Sequence, residues 1–336
     1  MKFRNLFTVL LIIIFVIPGV QFAQDLSTAD ENGNNSGHFE FEEYDLKTVP
    51  GSILKLDGLY SPYVIVVEKS KQKLYVFNYD GSYNRVKTYD CTTGKVRGDK
   101  TENMDMKTPE GVYAFTHSWD ADDLARIYTP PEVVQFGIGA FDMNYPNEYD
   151  IINGKSGYDI WLHATDDPER ISKQFNTKGC VAVTNTDLKE LDEFIELKDT
   201  PIIIVKDISY SPVEELEAES ELLEIFIEKW KNDWASRNFE KYKSHYSEIF
   251  RSNNKNLHQW ISSKQRNLEN YRRLEITISN FRILKSGKYF IAEFYQVFES
   301  DIFRDTGIKK LFIISENGEY KIVNENWKEF EKKSDF

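Results

Sequence analysis

The chain has 336 residues, a formal net charge of −13, 40% apolar and 14% aromatic side chains, and two cysteines. That length holds two or three domains, and that apolar content excludes wholesale disorder. Two cysteines exclude a disulfide scaffold, no CxxC or paired Cys/His spacing suggests structural zinc, and the acidic total argues against general nucleic-acid binding.

Lys2 and Arg4 precede an apolar run from Leu6 to Ile17, which Pro18 and Gly19 end. This is the layout of a secretory signal over residues 1–23, with Ala23 as cleavage position, and the run falls short of the roughly 20 residues that span a bilayer. Gln21 fits the cleavage site poorly, so an uncleaved anchor is the alternative and the only expected tie to a membrane. The mature chain is expected outside the cytoplasm, in the periplasm or at the cell wall. Cysteine pairs there usually become disulfides. If Cys91 and Cys180 are not bridged, at least one is kept for its chemistry.

Residues 24–59 read as a solvated linker, Gln24 to Ser36, followed by a small N-terminal segment. A mostly β domain is predicted over 60–207, with strand signals at Tyr63 to Val67, Leu74 to Tyr79, Val86 to Cys91, Gly111 to Phe115, Ile160 to His163 and Ile202 to Val205. One helix is expected around Leu188, Leu191 and Ile195, with Thr186 as its N-cap. A second domain, α+β, is predicted over 214–331. It opens with an amphipathic helix whose apolar face carries Leu222, Leu223, Phe226, Ile227, Trp230 and Trp234, the tryptophans as core. Further helix around Phe239 to Tyr246 and Leu257 to Leu268 precedes strands from Leu274 onward, with Asn317-Gly318 as a turn.

His163 ends the strand-like YDIWLH, and Cys180 follows 17 residues later in T-K-G-C. A thiol needs a neighbouring base or positive field to become a good nucleophile near neutrality, and a histidine supplies one. Gly179 leaves room for backbone amides to face an oxyanion. Read by residue type alone, such a pair is more often a buried thiol and a satisfied imidazole.

The surroundings of the pair carry a resemblance. YVIVVEKSKQKLYVFNYD (63–80), CTTGKVRGDK (91–100) with TPEG (108–111), His163 with T-K-G-C, and TPIIIV (200–205) together resemble the L,D-transpeptidase catalytic domain family of the YkuD type. The longer FGIGAFDMNYPNEYD (136–150) and the C-terminal pattern resemble its cell-shape-determining L,D-carboxypeptidases, which end in a nuclear-transport-factor-like (SnoaL-type) cone. The fold class implied is mixed, a mostly β catalytic domain followed by an α+β cone-like domain. The resemblance makes Cys180 the nucleophile and His163 its proton partner, with the amides of Gly179 and Cys180 as oxyanion donors. The substrate would be the peptidoglycan stem peptide, attacked at the diaminopimelate carbonyl, with D-Ala leaving and a thioester forming. Water then gives a trimmed tripeptide, whereas an amine gives a 3–3 cross-link or attaches or releases a wall protein. A wall-binding scaffold without catalysis is the reading from another class. Tyr145, Asn147, Asp150, Thr177 and Ala182 are the substrate-binding residues the resemblance implies. Two positions depart from it: Ala182 stands where cross-linking members carry Arg, and Ala164 where Gly commonly follows the histidine.

No cofactor or metal is expected. His117 with Asp120, Asp122 and Asp123 could hold a metal but suits a solvated loop better, and Asp166 and Asp167 either orient His163 or form a polar loop. Cys91 reads as a buried thiol, and a homodimer through the N-terminal segment is an option the resemblance leaves open. The charge is segregated: residues 1–206 carry −11, residues 207–228 carry −8 and residues 229–336 carry +6. The basic C-terminal part is expected to receive an anionic wall component or carboxylate-rich partner.

Overall fold

The computed structural model describes residues 47–329 except Gly58, so the expected signal at 1–23 and the linker that follows lie outside the described residues. The first half is built on an eight-stranded sheet. Its order is Tyr83–Asp90, Lys73–Tyr79, Tyr63–Glu68, Pro201–Val205, Gly111–Asp120, Gly139–Met143, Trp161–His163 and Val181–Ala182. Tyr63–Glu68 and Pro201–Val205 pair in parallel and read as unbroken apolar runs because both of their faces are covered. Ile65, Val67, Ile202 and Ile204 enter the domain's own core, whereas Val64, Val66 and Ile203 point to the other side.

The expected helix is Asn185–Leu191, joined in this half by the short helices Ala121–Ile127, Pro130–Val133, Glu148–Ile152 and Glu169–Ser172, and its N-cap is Thr184 rather than Thr186. Thr184 and Asp187 form a reciprocal capping box, which takes the start two residues earlier than apolar spacing alone suggests. The helix stops at Leu191 and tightens into a 3₁₀ turn, so Phe194 and Ile195 are only half-buried. Asp120 caps the helix Ala121–Ile127, and Asp123 there pairs with Arg126; His117 meets Trp119 edge-on.

The second half packs helices on a five-stranded antiparallel sheet. The sheet order is Glu319–Glu329, Arg304–Glu316, Phe290–Ser300, Leu274–Lys285 and Ile53–Lys55. Its last strand comes from before the catalytic domain, so the segment preceding residue 60 is bound into the C-terminal half. Thr48–Pro50 pairs with Tyr210–Pro212 beside it. The 23-residue helix Val213–Ala235 buries Leu223, Ile227, Trp230 and Trp234 against the sheet. Leu222 is 57% exposed: one residue before Leu223, it lies about 100° around the helix from the buried stripe.

The two sheets meet through their second faces. Val64, Val66, Phe77 and Ile203 of one pack with Leu284, Tyr289, Ile291 and Phe312 of the other in a shared core. Tyr289 reaches furthest. Gly111–Asp120 is paired with Gly139–Met143 only from Phe115 onward, which leaves the backbone of Val112 without a partner strand on that edge. The Tyr289 hydroxyl accepts from Val112 N at 2.9 Å and from Asn147 Nδ2 at 2.7 Å, and Asn147 Nδ2 also donates to Val112 O at 3.0 Å. Lys288, next in the chain, joins Asp99 at 2.6 Å, and Lys155 bridges Asp99 to Asp150, each at 2.8 Å.

Candidate active site

The T-K-G-C segment is shaped by its own first residue. Thr177 Oγ1 donates to the Cys180 carbonyl at 2.7 Å and accepts from Gly179 N at 3.1 Å, closing a tight turn before the nucleophile position. Gly179 has φ +139°, and a Cβ there would lie 3.0 Å from both the Lys107 carbonyl and Ile160 Cδ1. Only glycine fits both the backbone and the space. The CTTGK segment holds the turn from outside: Thr92 exchanges backbone bonds with Ala182, and Thr177 N donates to Thr93 O. Thr108 of TPEG accepts from Gly94 N at 2.8 Å and lies 3.4 Å from the Cys180 carbonyl.

His163 pairs with Ala140 on one side and Ala182 on the other. Cys180 packs against the cluster of Phe136 and Trp161, and the Phe136 ring also meets His163, at 5.2 Å, so thiol and imidazole border the same aromatic cluster. The Trp161 amide lies near the Cys180 sulfur and favours its thiolate. Cys180 is half-buried and unbridged, and its thiol donates to the Asp159 carbonyl at 3.5 Å. Cys91 is also free, 1% exposed, and burial holds its thiol far above the usual range.

Electrostatics set the resting protonation. Burial pushes the Cys180 thiol up to about 11, against the opposing pull of the Trp161 amide, Arg170 and Lys100. Burial likewise pushes His163 down to about 4. His163 Nδ1 lies 2.6 Å from the Ala164 carbonyl, which can only accept, so Nδ1 carries the proton and Nε2 keeps its lone pair. The resting site is therefore a thiol beside a neutral imidazole, not a preformed ion pair. Ala164 orients the ring. Asp166 instead accepts from Asn185, and Asp167 accepts from Glu169 N.

Several expected substrate contacts lie elsewhere. Asn147 and Asp150 are 2% and 1% exposed, engaged with Tyr289, Val112, Tyr113 and Lys155, and they brace the domain boundary instead of lining a groove. Tyr145 is buried, with its hydroxyl on the Lys100 and Ser156 carbonyls. Thr177 is buried and spent on the turn. Ala182 is fully buried beside His163. The Gly179 amide is taken by Thr177, which leaves the Cys180 amide as the candidate oxyanion donor. Residues that spacing did not single out also flank the thiol: Trp161, Asp159 and Arg170. Each reaches the site through a backbone group or from a polar loop, and neither leaves a mark in hydrophobic periodicity.

This site lies within residues 62–204, which match the YkuD family, the L,D-transpeptidase catalytic domain. Residues 222–326 match the Cds6 C-terminal NTF2-like domain. The chain is thus an L,D-transpeptidase-type peptidoglycan enzyme carrying an NTF2-like domain. Among solved structures, Bd1075 of Bdellovibrio bacteriovorus is 31% identical with a TM-score of 0.72, covering 85% of this chain and 99% of that one. The helical cell shape determining protein Pgp2 from Campylobacter jejuni is 23% identical with a TM-score of 0.63, covering 82% and 95%, and shares the fold. No curated protein sequence matches. The chain belongs to the two-domain family, YkuD followed by NTF2-like, that includes Bd1075. That family acts on peptidoglycan and so at the cell wall or in the periplasmic space. No helix among the described residues is long and apolar enough to cross a membrane.

Proposed function

We propose that the protein is an exported L,D-carboxypeptidase that trims stem tetrapeptides to tripeptides through a Cys180 thioester. The observation that carries this reading is the half-buried thiol beside a neutral imidazole whose Nδ1 is tied to Ala164. Nε2 takes the thiol proton as Sγ attacks the carbonyl of the third residue, and the amide of Cys180 faces the oxyanion. The tetrahedral intermediate collapses, the C–N bond to D-Ala breaks, and Nε2–H protonates the leaving amine. Water, deprotonated by Nε2, then attacks the thioester, breaks the S–C bond and releases the tripeptide carboxylate. A base that starts neutral suits both halves, because it must accept a proton twice.

Hydrolysis is favoured over transfer by Ala182, since no guanidinium stands there to hold an acceptor's carboxylate. Purified muropeptides incubated with the enzyme are expected to yield tripeptide monomers and free D-Ala. Appearance of 3–3 dimers in their place would assign transpeptidation, and activity surviving Cys180→Ala would overturn the mechanism. Export rests on the signal-like residues 1–23, and N-terminal sequencing of the mature protein beginning at or near Gln24 tests it. The likeness to Pgp2 supports a role in cell shape. Loss of the protein should then change cell curvature, and unaltered cells would count against it.

A further inference from the structure

Arg170 lies in the short helix Glu169–Ser172, ten residues before Cys180. Its guanidinium is half-buried and tied to two carbonyls, Nη1 to Gln135 at 3.0 Å and Nη2 to Asn176 at 3.5 Å. Those carbonyls belong to two separate segments beside the site. Gln135 adjoins Phe136, whose ring meets both His163 and Trp161 at 5.2 Å. Asn176 adjoins Thr177, which binds the Cys180 carbonyl. Arg170 thus bridges the two segments that flank the thiol.

Among the described residues no carboxylate forms an ion pair with Arg170; the nearby Asp166 and Asp167 are engaged by Asn185 and Glu169 N. Burial weakens its charge, and the groups near enough to offset this are Cys180, once it is a thiolate, and Asp167. A guanidinium carries five N–H donors in a planar fork that matches a carboxylate. Two contacts to carbonyls leave donors free. The other cation whose charge lowers the thiol, Lys100, is buried and paired with Asp105 at 2.8 Å. A half-buried cation with no carboxylate ion-paired to it, tied to two segments beside a nucleophile, is set up to receive an anion.

We infer that Arg170 forms a carboxylate subsite beside Cys180, receiving the free terminal carboxylate of the residue that leaves. This deepens the trimming reaction proposed above and rests on it, since removing a terminal residue requires a carboxylate to be held one residue beyond the broken bond. Arg170 binds and makes no covalent bond.

The test compares alkylation of Cys180 by iodoacetate and by iodoacetamide in the intact protein. In both, the thiolate displaces iodide and forms one C–S bond, so a changed thiol pKa cancels in the ratio of rates. Cys91, 1% exposed, does not compete. Arg170→Gln should lower the iodoacetate-to-iodoacetamide ratio about tenfold, the scale of one charge-assisted contact, and Arg170→Lys should fall between the two. In the wild-type protein, N-acetyl-D-alanine should slow iodoacetamide and its amide should not, a measurement that decides the matter even if the variants unfold. An unchanged ratio in Arg170→Gln, or equal protection by acid and amide, would overturn the subsite. Neither measurement uses peptidoglycan, so a failed muropeptide digest would sink the trimming reaction without moving these ratios.

Discussion

Tyr289→Phe removes one oxygen from the domain boundary and nothing else. The ring would keep its contacts with Tyr149, 4.3 Å between centroids, and with Phe312 at 5.7 Å. What disappears is the acceptor for two buried donors, Val112 N–H and one N–H of Asn147. Asn147 keeps its bond to the Val112 carbonyl, so its amide is only partly orphaned. A buried donor left without a partner costs ~1–3 kcal/mol, and two together imply about 2–5 kcal/mol of lost stability. Tyr289 is 2% exposed, so bulk water does not readily replace the hydroxyl. Urea unfolding of the wild type and the variant, followed by tryptophan fluorescence and far-UV circular dichroism, measures the difference. A loss below about 0.5 kcal/mol, smaller than a single orphaned donor, would refute the idea that the C-terminal domain completes the unpaired edge of a catalytic-domain strand.

Three further outcomes follow from the site. His163 takes up a proton near 6.5 when unfolded but only near 4 when folded, so its contribution to stability is full above 6.5 and is lost as pH falls toward 4. The loss amounts to about 3 kcal/mol by linkage, and it should shrink by that much in His163→Gln; equal acid sensitivity of the two proteins would contradict the neutral buried imidazole. Thr177→Val breaks the bonds to the Cys180 carbonyl and Gly179 amide and should slow iodoacetamide labelling about tenfold, with Thr177→Ser restoring it. A valine variant labelled at the wild-type rate would remove Thr177 from the positioning of the thiol. Gly179→Ala forces a side chain into a left-handed backbone and against the Lys107 carbonyl; a cost of about 1–3 kcal/mol in urea midpoints is expected, and none would show that the turn relaxes freely.

Local signals carried much of the architecture. Runs of β-branched and aromatic residues separated by Asp-Gly and Asn-Gly turns mark strands, because a pleated face is buried at every second residue. Trp230 and Trp234 announce a core helix for the same kind of reason, and both are buried. Less legible was anything decided by a partner distant in the chain. Asn147 and Asp150 stand in a polar stretch that looks like the lining of a groove, yet Tyr289, more than a hundred residues later, buries them. Thr184 rather than Thr186 caps its helix because Asp187 reciprocates the bond, a choice the apolar spacing does not encode.

The opening contrast between an acidic whole and a basic C-terminal part meets the structure at one place. The basic side chains at the boundary, Arg282, Lys285 and Lys288, are bound to Asp199 and Glu293, to Glu219, and to Asp99. Part of the segregated charge therefore closes on itself between the two halves. The sequence by itself determined most of the strands, the long helix and the order of the domains, because these depend on neighbours within a few residues. Tertiary structure alone decided that the thiol rests protonated, that Ala164 orients the imidazole, and that Arg170 ties the Gln135 and Asn176 carbonyls together. Those depend on desolvation and on charges brought together by the sheet, and neither is written in the spacing of residues along the chain.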